Sequence, residues 1–451
     1  MSDSENPVLK PSNENPWYCL ATIHGEQTSD EIDSNLARKN RDFWNRWIDA
    51  APHDHQLRAE IEASFAKRTK SFSLPDKAET ADFSRTKFDR AVDFGGFLFR
   101  RPVDFHHSTF SGTANFAGAH FEGNSNFSFA TFSRQTNFKQ AQFNAALVDF
   151  NSATFSYGAE FQYASFVHCT FAYTKFGEVN FGHAKFAVAF FGSAIFSAAA
   201  YFGSTKFEGD AAIFRSATFS SSVAFNSAKF SNEADFFDTK FSDKILFTNA
   251  TFSGHTKFVN ARFENYVPDF RGATIHQATE WHGATWPKPP AEEGDAQEQV
   301  YAYERLKQEM EQLKKHEDEQ VFFRQELRAR RGLTRLLSGR WLLNFAYQWS
   351  SRYGSSVGRP VLWLLLLFTA GAAIFARAPI HCGAPMPIRL AVKLSFANIF
   401  VFLPDKREIM TLDMVACLSD TTRAVSAIQS ISGVALLFLL GLAIRNRFRM
   451  K

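Results

Sequence analysis

The stretch FSSSVAFNSAKFSNEADFFDTKFSDKILF, residues 219–247, brings back a phenylalanine every five or six positions: Phe219, Phe225, Phe230, Phe236, Phe241 and Phe247. Small and polar residues fill the intervals. The same phase runs from Phe83 to Trp286 through 38 positions, of which 35 are Phe and the others Ile275, Trp281 and Trp286. Its 37 steps comprise 22 of five residues, 12 of six and 3 of seven, with seven consecutive fives between Phe161 and Phe196. An eleven-residue period can describe a right-handed coiled coil. At about 100° per residue, however, steps of five and six throw successive rings to nearly opposite sides of a helix, and no stripe forms. The Ser, Thr, Gly and Asn of the spacers favour turns. Two positions before the ring the residue is small, as in Ala114, Ala119, Ala130, Ala153 and Ala217. Residues i and i−2 of a strand face the same side. Each unit therefore sends one large and one small side chain inward, and two or three residues turn the corner.

Units such as SATFS (152–156), EADFF (233–237) and NATFS (249–253) resemble the A(D/N)LXX repeat of the pentapeptide-repeat family in its Phe-centred form. The resemblance covers residues 81–290. It implies a mainly β fold, a right-handed quadrilateral β-helix (a pentapeptide-repeat solenoid); the four sides come from the family, not from the spacing. The six-residue steps depart from a strict pentapeptide and read as wider corners or bulges on alternate sides. Phe116, Phe121, Phe161, Phe166, Phe171, Phe176, Phe219, Phe225, Phe230, Phe236, Phe241 and Phe247 then form its core. Each buried ring contributes roughly 1.5–3 kcal/mol. Each coil touches only its neighbours, so the ends need caps.

Residues 1–80 read as an N-terminal helical cap. A helix over 29–50 would carry Ile32, Leu36, Phe43, Trp47 and Ile48 on one face, with Ser29 or Asp30 as N-cap; a second spans 58–68. The first 17 residues hold no apolar run, so no cleaved signal is expected. WPKPP (286–290) stops strand pairing. Residues 291–335 form a helical connector, read as one helix over 298–331 with Val300, Tyr303, Leu306, Met310 and Leu313 on its apolar face.

Residues 336–451 form a C-terminal α-helical membrane domain. Spans at about 359–380 and 424–444 approach the roughly 20 residues a bilayer needs. Arg328, Arg330, Arg331, Arg335 and Arg340 precede the first span without an intervening acid, and Arg445, Arg447 and Arg449 follow the second. Such flanks belong on the cytoplasmic side and face anionic membrane lipids. The expectation is a multi-pass protein of the inner (cytoplasmic) membrane, its β-helix and C-terminus in the cytoplasm and residues 378–423 outside. A disulfide between Cys382 and Cys417 would close the outer loop; two free thiols are the alternative. Between the spans, IRLAVKLSFANIFVFLP (388–404) reads either as a re-entrant half-helix or as a segment lying on the outer leaflet. Span, half-helix, span resembles the two-span ion-channel pore domain. The potassium filter TVGYG is absent, and PDKREIMTLD (404–413) follows instead.

Net charge is +4 over 451 residues, and 81–290 hold 17 acids against 18 bases. No nucleic-acid partner is expected from such a balance. Some soluble members of the family mimic DNA to protect gyrase, which the resemblance ties to an acidic rod; this rod is not acidic. HExxH, GxSxG, GxxxxGK[ST], GxGxxG and CxxC are all absent. His106, His107, His276 and His282 fall on outward positions. The sequence thus points to a non-enzyme without cofactors. It reads as a membrane-anchored scaffold offering its rod to a cytoplasmic protein partner, with a homo-oligomer open. The alternative is an ion-channel-like or sensor protein whose hairpin oligomerises into a pore regulated by the rod.

Overall fold

The computed structural model describes residues 8–51, 54–289, 293–377, 386–402 and 418–449. Cys382, Cys417 and the segment 404–413 lie outside the described residues. The chain divides into two compact units, Met1–Lys288 and Pro289–Lys451.

The first unit is a β-solenoid of about eight turns of parallel strands. Each short strand pairs with the one a full turn later. Thr109–Phe110 pairs with Thr131–Phe132, and Ala114–Asn115 with Thr136–Asn137. Four such sides complete a turn, and isolated bridges extend the pairing to Thr285. The register sets Phe over Phe. The rings form four columns with centroids 4.4 Å (Phe196–Phe219) to 5.4 Å (Phe241–Phe263) apart. Phe116 lies 4.7 Å from Phe138 at an interplanar angle of 3°, Phe121 4.5 Å from Phe143, and Phe219 5.2 Å from Phe241. Phe161, Phe166, Phe171 and Phe176 stack on Phe181, Phe186, Phe191 and Phe196. Phe225, Phe230, Phe236 and Phe247 continue the columns, and none of these rings is more than 2 % exposed. Two columns also meet edge to face, as Phe127 does with Phe138 at 5.5 Å and 89°. Parallel strands sit about 4.8 Å apart, a distance that also suits stacked rings.

Two kinds of corner alternate. In the tight corner the second residue after Phe is left-handed, as in Ser152 (φ 59°), Tyr163 (φ 59°) and Asn249 (φ 57°). The Asp or Asn before the ring accepts a hydrogen bond from the N–H of the residue after it. Asp104 takes His106 N–H at 2.8 Å, Asn115 takes Ala117 at 3.1 Å and Asp149 takes Asn151 at 2.7 Å. This local bond closes a turn without help from the strand ladder. The other corner holds every step of six and seven. Wider corners do fall on alternate sides, as the spacing suggests. The run of fives hides a different event. From Thr154 to Phe190 the second corner opens out, leaving continuous strands Thr154–Glu160, Ser165–Thr170, Lys175–Asn180 and Lys185–Phe190. Each of these covers two sides of the solenoid. At Gly209, in a wide corner, a Cβ would stand 1.9 Å from the Ala187 carbonyl oxygen, so only glycine fits.

The small inward slots keep their polar atoms satisfied. The hydroxyls of Ser108, Thr174, Thr205 and Thr239 donate at 2.7–2.8 Å to the carbonyls of Phe83, Phe150, Phe181 and Phe214. Cys169 fills one such slot, and burial pushes its thiol pKa well up.

The N-terminal residues close the open end. Strand Lys10–Pro11 pairs in parallel with the first turn at Thr86 and Lys87. Helix α1 (Pro16–Ala21) sets Tyr18 edge-on to Phe88 at 5.2 Å. Helix α2 (Ser34–Asp49) begins later than the sequence suggests. Asp33, not Ser29 or Asp30, caps it by accepting from the N–H of Asn35 and Leu36, which leaves Ile32 outside the helix. From α2, Trp44 stands 5.5 Å from Phe97 and donates its indole N–H to Leu98 O at 3.0 Å. Asn45 bridges Gly96 O and Leu98 N–H, and Asp49 pairs with Arg100. Helix α3 (His55–Arg68) is capped by Asp54.

Phe230→Ala leaves a cavity between two stacked rings and should cost about 3–5 kcal/mol in chemical unfolding followed by circular dichroism; a loss under about 1 kcal/mol would remove Phe230 from the core. Burial first, and the neighbouring Asp82 charge, raise the pKa of Asp104 above its ordinary 3.8, against the lowering effect of the His106 N–H. The folded state therefore holds that proton more tightly than the unfolded state, and ionisation erodes stability as pH rises through this window. Asp104→Asn keeps the acceptor and removes the charge. It should melt higher than the parent near neutral pH and lose that advantage at about pH 3.

Candidate functional site

In the second unit the expected single connector helix is a hairpin. Helix α4 (Glu293–Gln312) and helix α5 (His316–Gly332) are separated by Lys314 in the left-handed region at φ 58°. Val300, Tyr303, Leu306 and Met310 are buried on α4, while Leu313 lies past its end. Buried Glu326 of α5 receives Lys307 of α4 at 2.6 Å and Arg330 at 2.8 Å. Helix α6 (Gly339–Ser351) follows, capped by Ser338, and ends on Arg352, Tyr353 and Gly354, all with positive φ.

Helices α7 (Gly358–Arg377) and α9 (Asp420–Arg449) are long and apolar enough to cross a membrane, and 17 % of each apolar window is buried. Their outward faces carry Leu362, Leu365, Leu366, Ile428, Ile431 and Phe438, all exposed. Helix α8 (Ile388–Ile399) packs against both. Its Ala391 and Leu394 join Phe375 of α7, Met386 and Leu418 in an apolar cluster.

A polar network sits between the three helices. Gln429 of α9 donates to Leu367 O at 3.1 Å and to Ser395 Oγ of α8 at 2.6 Å. Ser395 Oγ donates to Phe368 O at 2.8 Å, and Asn398 Nδ2 donates to Gln429 Oε1 at 3.1 Å. Asn398 Oδ1 accepts from Ser426 Oγ at 2.9 Å. Ser395, Asn398, Ser426 and Gln429 are all buried. Two glycines allow the approach. A Cβ on Gly371 would lie 2.1 Å from Gln429 Nε2, and one on Gly433 2.9 Å from the Cα of Ile399. The network holds no ionisable side chain and its amides are satisfied internally. In apolar surroundings its chemistry is cohesion: interhelical hydrogen bonds between small residues hold α8 to the pair. Sequence reasoning passed over it by treating 424–444 as an apolar run. The available signal was Ser426, Gln429, Ser430 and Gly433 on one helical face, with Ser395 and Asn398 three apart in the half-helix.

The basic residues have different fates. Arg330 is held by Glu326 and Glu304 within the hairpin, so it is not a free lipid-facing charge. Arg331 bonds to Gln348. Arg328 Nη1 donates to Gln325 Oε1 at 3.2 Å and lines a cavity. Arg335, Arg340, Arg445 and Arg447 are exposed, and Arg449 ends α9. Trp349 of α6 packs on Trp363 of α7 with centroids 4.1 Å apart. Asn446 donates to Gly354 O at 3.0 Å, which brings the end of α9 beside the turn that leads into α7.

On the solenoid, His106 and His107 share an outward cluster with Phe129. His255 pairs with Glu280 at 2.8 Å. Among the described residues, no group of three or more His, Cys, Asp or Glu is placed to hold a metal ion.

The family model for pentapeptide repeats (9 copies) matches residues 83–131, 116–165 and 236–285, all within the solenoid. No curated protein matches the chain. The chain carries pentapeptide repeats folded as a β-solenoid, followed by helices of which two are long and apolar enough to span a bilayer.

Gln429→Ala strips Asn398 and Ser395 of a partner and should lower the unfolding free energy of the helical unit by about 1 kcal/mol in mixed micelles. Gly371→Val drives a branched side chain into the network and should cost more than Gln429→Ala.

Proposed function

We propose that the protein is a membrane-anchored scaffold: α7 and α9 insert in the bilayer, and the solenoid offers its outer surface to a protein partner. The observation that carries this reading is the exposure of large apolar side chains over most of α7 and α9, a surface that is stable in lipid and costly in water. The pairing of Asn446 with Gly354 supports an antiparallel hairpin with both basic flanks at one end. Arg335, Arg340, Arg445 and Arg447 then sit on the cytoplasmic side of an inner membrane. Asp104, Asp149 and Asp269 accept corner hydrogen bonds, and Lys257 and Arg262 form ion pairs, which suits a non-catalytic role. Exposed apolar side chains occur along the long strands of the middle turns. Val167 and Phe190 are exposed on the paired strands Ser165–Thr170 and Lys185–Phe190, and Leu147 is exposed one position before Val148, which pairs with Cys169.

A second reading, the pore, rests on α8 standing between two candidate spans. The internally saturated network favours a packing role for α8 over a water-filled path.

Reporter fusions at Lys451 and within 378–385 test the anchor. Cytoplasmic activity at the first site and exported activity at the second are expected. An exported C-terminus would overturn the orientation, and a chain recovered entirely in the soluble fraction would overturn the anchor. Planar-bilayer recording of the full chain separates the two readings: reproducible unitary currents would sink the pure scaffold.

A further inference from the structure

A cavity of about 220 Å³ lies between α5 and the turn that follows α6. Arg324 and Arg328 from α5 and Arg352 from the turn line it, with Gln325, Gln348 and Tyr353. Among the described residues none of these three arginines takes part in an ion pair, whereas Arg330, two residues beyond Arg328, is held by two glutamates. Their partners are neutral: Arg324 Nη1 donates to Ser355 Oγ at 3.1 Å and Arg328 Nη1 to Gln325 Oε1 at 3.2 Å. Arg331, bonded to Gln348, adds a fourth positive charge close by. Burial and then the charges of Arg328 and Arg352 push the Arg324 pKa below its usual value. The backbone is unusual at the same place. Arg352 and Tyr353 hold φ 51° and 59° ahead of Gly354 at 74°, a conformation that L side chains adopt reluctantly and that recurs at binding sites.

Like charges gathered around a cavity without an acid are stabilised by an anion. We propose that this cavity binds a phosphate group through Arg324, Arg328 and Arg352. Guanidinium forks match phosphate oxygens in pairs. Gln325 and Gln348 supply neutral hydrogen-bonding amides beside them. The volume falls below the roughly 300–1,000 Å³ of typical small-molecule pockets, which suits a phosphate and its nearest substituents and not a nucleotide. Two sources share this chemistry. One is the headgroup of an anionic phospholipid, because α7 starts at Gly358, only six residues beyond Arg352. The other is free phosphate.

The test is thermal unfolding of the full chain in a zwitterionic detergent, titrated separately with short-chain phosphatidylglycerol and with inorganic phosphate. A saturable rise in melting temperature is expected with at least one probe. A response to phosphatidylglycerol alone assigns the site to lipid; a response to both assigns it to phosphate itself. The double variant Arg324→Gln, Arg328→Gln should bind at least about tenfold more weakly, while Arg335→Gln, exposed outside the cavity, should respond like the parent. Without ligand the double variant should melt no lower than the parent, since a repulsion has been removed. Arg352→Gln, at an exposed position, gives the same binding readout if the double variant does not fold. No shift with either probe, or equal shifts in parent and cavity variants, would overturn the proposal.

Discussion

Phenylalanine stacked on phenylalanine at the spacing of a parallel strand ladder is the interaction on which the solenoid depends. The ladder brings successive turns to about 4.8 Å. That separation is what two offset rings want, so backbone hydrogen bonding and side-chain packing reinforce one another in every column. Phe116 over Phe138 at 4.7 Å and Phe230 over Phe252 at 4.8 Å are two instances. Other choices follow from filling the interior with rings. The slot two residues earlier must be small, and a hydroxyl placed there must find a carbonyl. Where the slot is large, at Phe97, Trp44 of the cap packs beside it. The exposed end of such a stack is a bare ring and an unpaired edge. Tyr18 covers the first and Lys10–Pro11 pairs the second.

Division of labour between the two corners gives the solenoid its surface. Tight corners are closed locally by an Asp or Asn and vary little in length. The opposite corners take six residues, seven, or none at all. Variation in outer shape is therefore confined to two of the four corners, which the long strands straighten in the middle turns. Tyr157, Val167 and Phe190 are exposed on these strands. The core and the outer surface thus draw on separate sets of positions, which leaves the surface residues free to vary without disturbing the columns.

In the proposed membrane setting, α7 and α9 have no water around them. Apolar attraction between helices fades there, and cohesion passes to close packing and hydrogen bonds. Gly371, Gly433 and the Ser395–Asn398–Gln429 network meet that need. Arg324, Arg328 and Arg352 stand outside the apolar segments and line one cavity.

The solenoid was legible in the sequence because its core is one-dimensional. A single residue type at a fixed interval names the inward position, the strand and the turn. The alternation of step lengths even named the sides that carry wide corners. The helical cap was legible in kind but not in its boundaries, since Ser29, Asp30 and Asp33 are all capping residue types and the structure shows Asp33 in the role. The hairpin break at Lys314 escaped because apolar spacing continues through it. Tertiary structure alone revealed which fives are tight corners and which are straightened strands, since both have one length and differ only in backbone conformation. It alone joined Gln429 to Ser395 and Asn398, and Arg352 to Arg324 and Arg328, because those residues lie about thirty positions apart and no periodicity links them. Sequence by itself determined what repeats; folding in space decided what converges, because convergence depends on how distant helices pack and not on any local pattern.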